Sequence, residues 1–187
     1  MSKVLVVGHS AGDIAPLARA LVERGDSVLS LSPGDARAAD SDWDHQVADP
    51  GTAIGRGLLG DLYRQRGPFA TVIHVLSDVA VDGRDASPFT QSGLDRDLMQ
   101  LNRELATFLA LSKSAVALSE PGVTLLTLRV NAGSSAENSA LGLAADAFMV
   151  AFHQAAEDGS TLKWHHAALA AADLEADPGA VLATFLS

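Results

Sequence analysis

Four side chains able to move protons or hold hydrogen bonds, His74, Ser77, Asp78 and Asn102, lie at the end of an apolar run and in the helical segment that follows it. If Val72-Ile73-His74-Val75-Leu76 is a strand, its carboxyl end brings His74, Ser77 and Asp78 to the edge where open α/β sheets collect ligands. An imidazole beside a carboxylate and an amide is equipment for general acid–base chemistry. His74, Asp78 and Asn102 are therefore candidate catalytic residues, and the competing reading of His74 is a buried histidine satisfied by its surroundings. A second candidate is the turn Gly8-His9-Ser10-Ala11-Gly12-Asp13-Ile14 after Val4–Val7. Glycines at such a turn let a pyrophosphate approach the free N–H groups of a helix start. Gly8 and Gly12 supply two of them, but Ile14 stands where a third belongs, and Asp13 adds a like charge or caps the helix itself. The turn is either a working dinucleotide site or a purely structural one. Asp35 and Arg37 are placed to meet a ribose and its 2′-phosphate, or are solvated loop charges. His165-His166 near Asp173 suggest metal ligands, yet neighbours on a strand point to opposite faces, so no metal site is expected.

Composition narrows the field. The chain has 187 residues, 48% of them hydrophobic, which suits one domain spanning 1–187 with a sizeable core. It has no cysteine, so thiolate metal sites, disulfides and cysteine nucleophiles are excluded. A net charge of −10 with scattered lysines and arginines disfavours nucleic acid and anionic lipid as partners. No run of the ~18 apolar residues needed to span a bilayer is present. A cytoplasmic protein is the expectation.

The elements that would position these groups follow from hydrophobic periodicity. Strands are expected at 4–7, 27–31, 45–48, 72–76, 123–128 and 161–165, and helices at 14–22, 52–66, 94–118, 140–156 and 178–186. Gly55, Gly57 and Gly60 weaken the second helix, and Ala167–Ala172 is expected to be a loop or weak helix. Alternating strands and helices predict an α/β fold: a Rossmann-like, doubly wound parallel sheet of about six strands in a three-layer α/β/α arrangement. The segment 140–156 is apolar on nearly every side, which predicts a helix covered by more than one neighbour.

Taken in order, these pieces resemble the short-chain dehydrogenase/reductase family. The resemblance rests on Gly8-x-x-x-Gly12, Asp49 after Val47-Ala48, the Val72–Leu76 strand, Asn102 and the closing 178–187 segment. It implies that Asp49 contacts an adenine and that Asn102 orders a proton-relay water; a turn residue and a buried polar residue are the alternatives.

Three departures from the family pattern stand beside these matches. The strand expected to end in Asn-Asn-Ala-Gly reads His74-Val75-Leu76-Ser77-Asp78. Leu141-Gly142-Leu143-Ala144-Ala145 falls where Tyr-x-x-x-Lys belongs, and the region after His166 is short. Without a tyrosine to protonate an alkoxide and a lysine to tune it, the usual hydride-transfer chemistry lacks its acid. Ser134, Ser135 and Asn131-Ala132-Gly133 are expected to be loop and turn residues. The combination implies a catalytically degenerate subunit that binds NAD(P) weakly or not at all and forms a homo- or hetero-oligomer with an active homologue. Family subunits pair through the helices corresponding to 94–118 and 140–156, so Leu141, Ala144, Phe148 and Phe152 are the interface candidates. The alternatives are an NAD(P)-dependent oxidoreductase with an unconventional site for a small carbonyl or hydroxy substrate, and a nucleotide-binding sensor.

Overall fold

The structure is a computed structural model that describes residues 1–9, 11–34, 42–77, 91–131, 140–156 and 162–186. In chain order the elements are β1 (Lys3–Gly8), α1 (Ala11–Glu23), β2 (Ser27–Ser32), β3 (Asp44–Val47), α2 (Ala53–Arg66), β4 (Thr71–Ser77), α3 (Gln91–Leu118), β5 (Thr124–Asn131), α4 (Ala140–Ala156), β6 (Lys163–Ala170), α5 (Ala171–Ala176) and α6 (Pro178–Phe185). All six strands are parallel in the order β3-β2-β1-β4-β5-β6. The direction of progression reverses between β1 and β4, and that switch point is where this topology opens a crevice at the carboxyl ends.

Strand alternation sends side chains to two different layers. Val4, Val6, Ile73, Val75, Leu126, Leu128 and Val130 pack beneath α1, α5 and α6, with Ile14, Leu17, Leu21, Leu174 and Leu182 from the helices. Leu5, Val7, Leu29, Leu31, Val72, Leu76 and Leu125 pack on the opposite face, with Leu59, Phe108, Leu111 and Met149 from α2, α3 and α4. Each fully buried aliphatic side chain contributes about 1.5–3 kcal/mol. Around Phe108 the rings of Trp164, Phe152 and Phe148 lie at centroid separations of 4.7, 5.5 and 6.4 Å.

Local rules explain the element ends. Helix α1 stops at Gly25, whose φ of 86° is open to glycine, and the N–H groups of Gly25 and Asp26 return to the carbonyls of Val22 and Leu21. Thr52 caps α2 by accepting from the Gly55 N–H at 3.1 Å. Gly55 is not a weak point of that helix: a Cβ there would overlap the Asp49 carbonyl, so the helix start can press on the preceding turn because the residue is glycine.

One expectation is corrected. The segment 167–170 is neither loop nor weak helix, because β6 continues through Ala170 and pairs with β5 along its whole length, from Thr124↔Lys163 to Asn131↔Ala170. A ready-made partner edge outweighs alanine's poor strand propensity. Ile14 packs against Gly8 of the β1–α1 turn, its Cγ1 3.3 Å from where a Cβ at Gly8 would stand. Its side chain is fully buried on the α1 side of the sheet. Among the described residues no helix is long and apolar enough to cross a membrane.

Candidate functional site

A polar layer lies within the carboxyl half of the α3/α4 face. His74 of β4, Thr127 of β5 and His166 of β6 are consecutive partners in one cross-strand row. The period-two alternation of strands puts all three on the same face, and Arg129 follows two residues beyond Thr127 on β5. Each overlying helix lowers one carboxylate onto this row. Glu104 of α3 sits between two imidazoles, with Oε1 3.4 Å from His9 Nε2 and Oε2 3.6 Å from His74 Nε2. Asp146 of α4 takes Arg129 Nε at 2.7 Å and His166 Nε2 at 3.1 Å. His74 and Thr127 are fully buried, and Glu104 and Arg129 nearly so.

Burying this much ionisable chemistry is costly unless the groups neutralise one another. Burial holds the His9 imidazole below its ordinary 6.5, against the opposing pull of Glu104 and with help from the Arg103 charge. It does the same to His166, where Asp146 pulls the other way and Arg129 reinforces the shift. Both rings are therefore mainly neutral at pH 7, each with one basic nitrogen. Among the described residues His74 Nδ1, Thr127 Oγ1 and His166 Nδ1 make no hydrogen bond. The layer is thus a set of proton acceptors and donors with unused valence, reachable where the His9, His166 and Asp146 side chains keep 15, 21 and 18% exposure.

The sequence candidates fall into different places. His74 lies in this layer, and His9 joins it from the β1–α1 turn at the switch point. Asn102 is exposed on α3 and faces away from His74, so it is neither a buried polar residue nor a member of the crevice; Glu104, two residues on, occupies the inward face. Asp78, Asp35, Arg37, Ser134 and Ser135 lie outside the described residues. His165 and His166 point to opposite faces as expected, His166 to Asp146 and His165 to the Phe185 ring at 6.0 Å. Of the interface candidates, Ala144 and Phe148 are exposed on α4. Phe152 is half-buried with its ring against Phe108 and Trp164, and the Leu141 side chain lies outside the described ones.

Glu104, Arg129, Asp146 and Thr127 were missed by sequence reasoning, although a signal existed for three of them. Arg129 and Asp146 are single charges in an apolar strand and an apolar helix. Glu104 keeps step with Phe108, Leu111 and Ala115 on the inner stripe of α3.

The residues at the switch point fit a dinucleotide only in part. Gly12 is open at the start of α1. Asp49 accepts from the Gly51 N–H at 3.0 Å and pairs with Arg103 Nη2 at 2.8 Å, so each of its oxygens already has one partner, in the β3–α2 turn and in α3. The position expected to carry a lysine is Ala145, buried under α4. The family's ribose-holding lysine therefore has no counterpart at this position.

No protein-family model matches the sequence, and no curated protein matches it significantly. Solved structures do match in fold. The Thermoplasma acidophilum aldohexose dehydrogenase superposes with a TM-score of 0.68 at 15% identity, covering 90% of this chain, which spans 66% of that enzyme's length. A protein from Aeromonas hydrophila assigned to the short-chain dehydrogenase/reductase family gives 0.72 at 18% identity, over 100% of this chain and 92% of the other. A Burkholderia vietnamiensis short-chain dehydrogenase/reductase gives 0.60 at 19%, over 89% and 83%. Across most of its length this chain has the fold of the short-chain dehydrogenases/reductases.

Proposed function

We propose that the chain is a catalytically degenerate subunit of this fold, which acts by pairing through α3 and α4 with a second subunit that presents the same two helices. The observation that carries this reading is the outer side of α4. Ala144, Ala147, Phe148, Val150, Ala151 and Ala155 are exposed on a helix whose inner side already packs on the sheet. Leu98, Met99 and Val116 are exposed on α3, beside it. Apolar surface distributed this way along two adjacent helices supports an interface. The partner is expected to supply the acid that Leu141 and Ala145 do not.

Sedimentation velocity of the purified chain, alone and with candidate homologues, tests the reading. Phe148→Asp is expected to weaken association by roughly 30-fold or more, on the order of 2 kcal/mol, because a carboxylate replaces a ring at the seam. Its circular dichroism should stay native, since Phe148 is partly exposed. Titration with NADH or NADPH is expected to show weak binding or none. A chain that remains monomeric at high concentration and binds no homologue overturns the proposal.

One observation favours a second reading, an oxidoreductase with an unconventional acid–base site. His9, whose imidazole burial holds below its ordinary value, meets Glu104 and His74 at the switch point, and a perturbed titratable group in a crevice marks working sites. In that case His9 or His166 exchanges a proton with a small carbonyl or hydroxy substrate while Glu104 and Asp146 steady the charge. NAD(P)H-dependent reduction by the chain alone, lost in His74→Leu and kept in Phe148→Asp, would replace the first reading by this one.

A further inference from the structure

The edge of the sheet opposite the polar layer carries a cavity of 420 Å³, in the size range of small-ligand sites. The first cross-strand row of the sheet forms its floor: Val4↔Thr71, Thr71↔Thr124 and Thr124↔Lys163 are consecutive partners across four strands. Arg24, at the end of α1, and Phe185, at the end of α6, stand on its walls. Alternation points the row toward α6, so two hydroxyls and one ammonium share a face.

The charge of this cavity runs against the average of the molecule. The chain carries 23 acidic and 13 basic residues, so its mean field repels anions. The cavity nevertheless has Arg24 and Lys163 as fixed positive charges, and among the described residues Asp26 is the one carboxylate in its lining. That carboxylate is spoken for: Oδ2 lies 3.6 Å from Arg24 Nε, and Oδ1 accepts from the Ser2 N–H at 3.3 Å. The Lys163 ammonium forms no ion pair among the described residues, and the outer guanidinium nitrogens of Arg24 remain available for an anion.

We propose that this cavity binds a small phosphate monoester. The phosphate oxygens accept from Lys163, Arg24 and the hydroxyls of Thr71 and Thr124, and the organic group lies against the Phe185 ring. Two cations with two hydroxyl donors suit a tetrahedral dianion better than a planar carboxylate, which a single arginine fork satisfies. The site is independent of the pairing reading and lies away from the β1–α1 turn, where a nucleotide phosphate would sit.

Isothermal titration of the full chain at low ionic strength, with phenyl phosphate, inorganic phosphate and acetate, tests this. Phenyl phosphate is expected to bind one to one and tighter than inorganic phosphate, with acetate weakest. Lys163→Gln and Arg24→Gln should each lower phenyl phosphate affinity about ten-fold or more, while Lys113→Gln, an exposed lysine on α3, leaves it unchanged. Amide NMR shifts on adding phenyl phosphate supply a readout that needs no variant, and they should centre on Thr71, Thr124 and Lys163. No saturable binding below about 10 mM, acetate binding as tightly as phenyl phosphate, equal affinity in Lys163→Gln, or shifts centred on His9 and Gly12 would each overturn the proposal.

Discussion

The two faces of one sheet are built by different physics. Beneath α1, α5 and α6 no ionisable side chain is buried among the described residues, and the layer is filled mainly by aliphatic volume, with the Trp43 and Phe185 rings. Beneath α3 and α4 the same strands start apolar at their amino ends and then turn to His74, Thr127, Arg129 and His166, with Glu104 and Asp146 above them. Hydrophobic packing tolerates exchange of shape for similar shape, whereas a buried charge requires a named partner. One face therefore sets how firmly the domain holds together, and the other sets where two helices must sit.

The largest test of this contrast is a double-mutant cycle. Arg129→Leu is expected to cost about 3–5 kcal/mol, because it strands the Asp146 carboxylate, and adding Asp146→Leu should restore much of that loss. On the other face Leu126→Ala is expected to cost about 2–4 kcal/mol, with no second substitution able to rescue it in this way. Urea unfolding measures both. Equal, additive losses on the two faces would abolish the distinction.

A smaller effect should appear with pH. The unfolded chain protonates His9 and His166 near 6.5, while the folded chain does so only at lower pH. Below pH 6.5 the unfolded state thus binds more protons, and stability falls as the solution is acidified through the folded-state values. Thermal unfolding between pH 7.5 and 5.5 is expected to show this loss, and the His9→Gln/His166→Gln double variant should flatten it. A wild-type profile as flat as the variant's would remove the two imidazoles from the account. The smallest effect is expected at Asn102→Ala, an exposed change worth within about 0.5 kcal/mol. A larger loss by the same urea assay would bring Asn102 back toward the polar layer.

The sheet was legible because short β-branched runs such as Val4–Val7 and Thr124–Leu128 alternate with helical periods, and parallel order follows from the crossovers. The end of β6 was not, since alanines carry little strand preference and only the β5 edge makes them pair. At the site, His74 was legible from its place at the end of a strand. Its true companions were hidden because Glu104, Asp146 and His166 come from three elements distant in sequence, and spacing along the chain says nothing about which carboxylate descends onto which imidazole. Asn102 drew attention through a family pattern, while the helical phase of α3 turns it outward and Glu104 inward.

The cross-strand row His74–Thr127–His166 also dictates an order of assembly. Its members are separated by 53 and 39 residues of chain, counted from their positions, and the last arrives only with the outermost strand. Non-local pairings of this kind form late, after the loop-closure entropy has been met. During synthesis α3 and α4 can therefore settle on β1, β4 and β5 before β6 exists, with Asp146 held by Arg129 alone. Docking of β6 brings His166 to the second oxygen and closes the row, so the segment from β6 onward serves as the clasp of the fold.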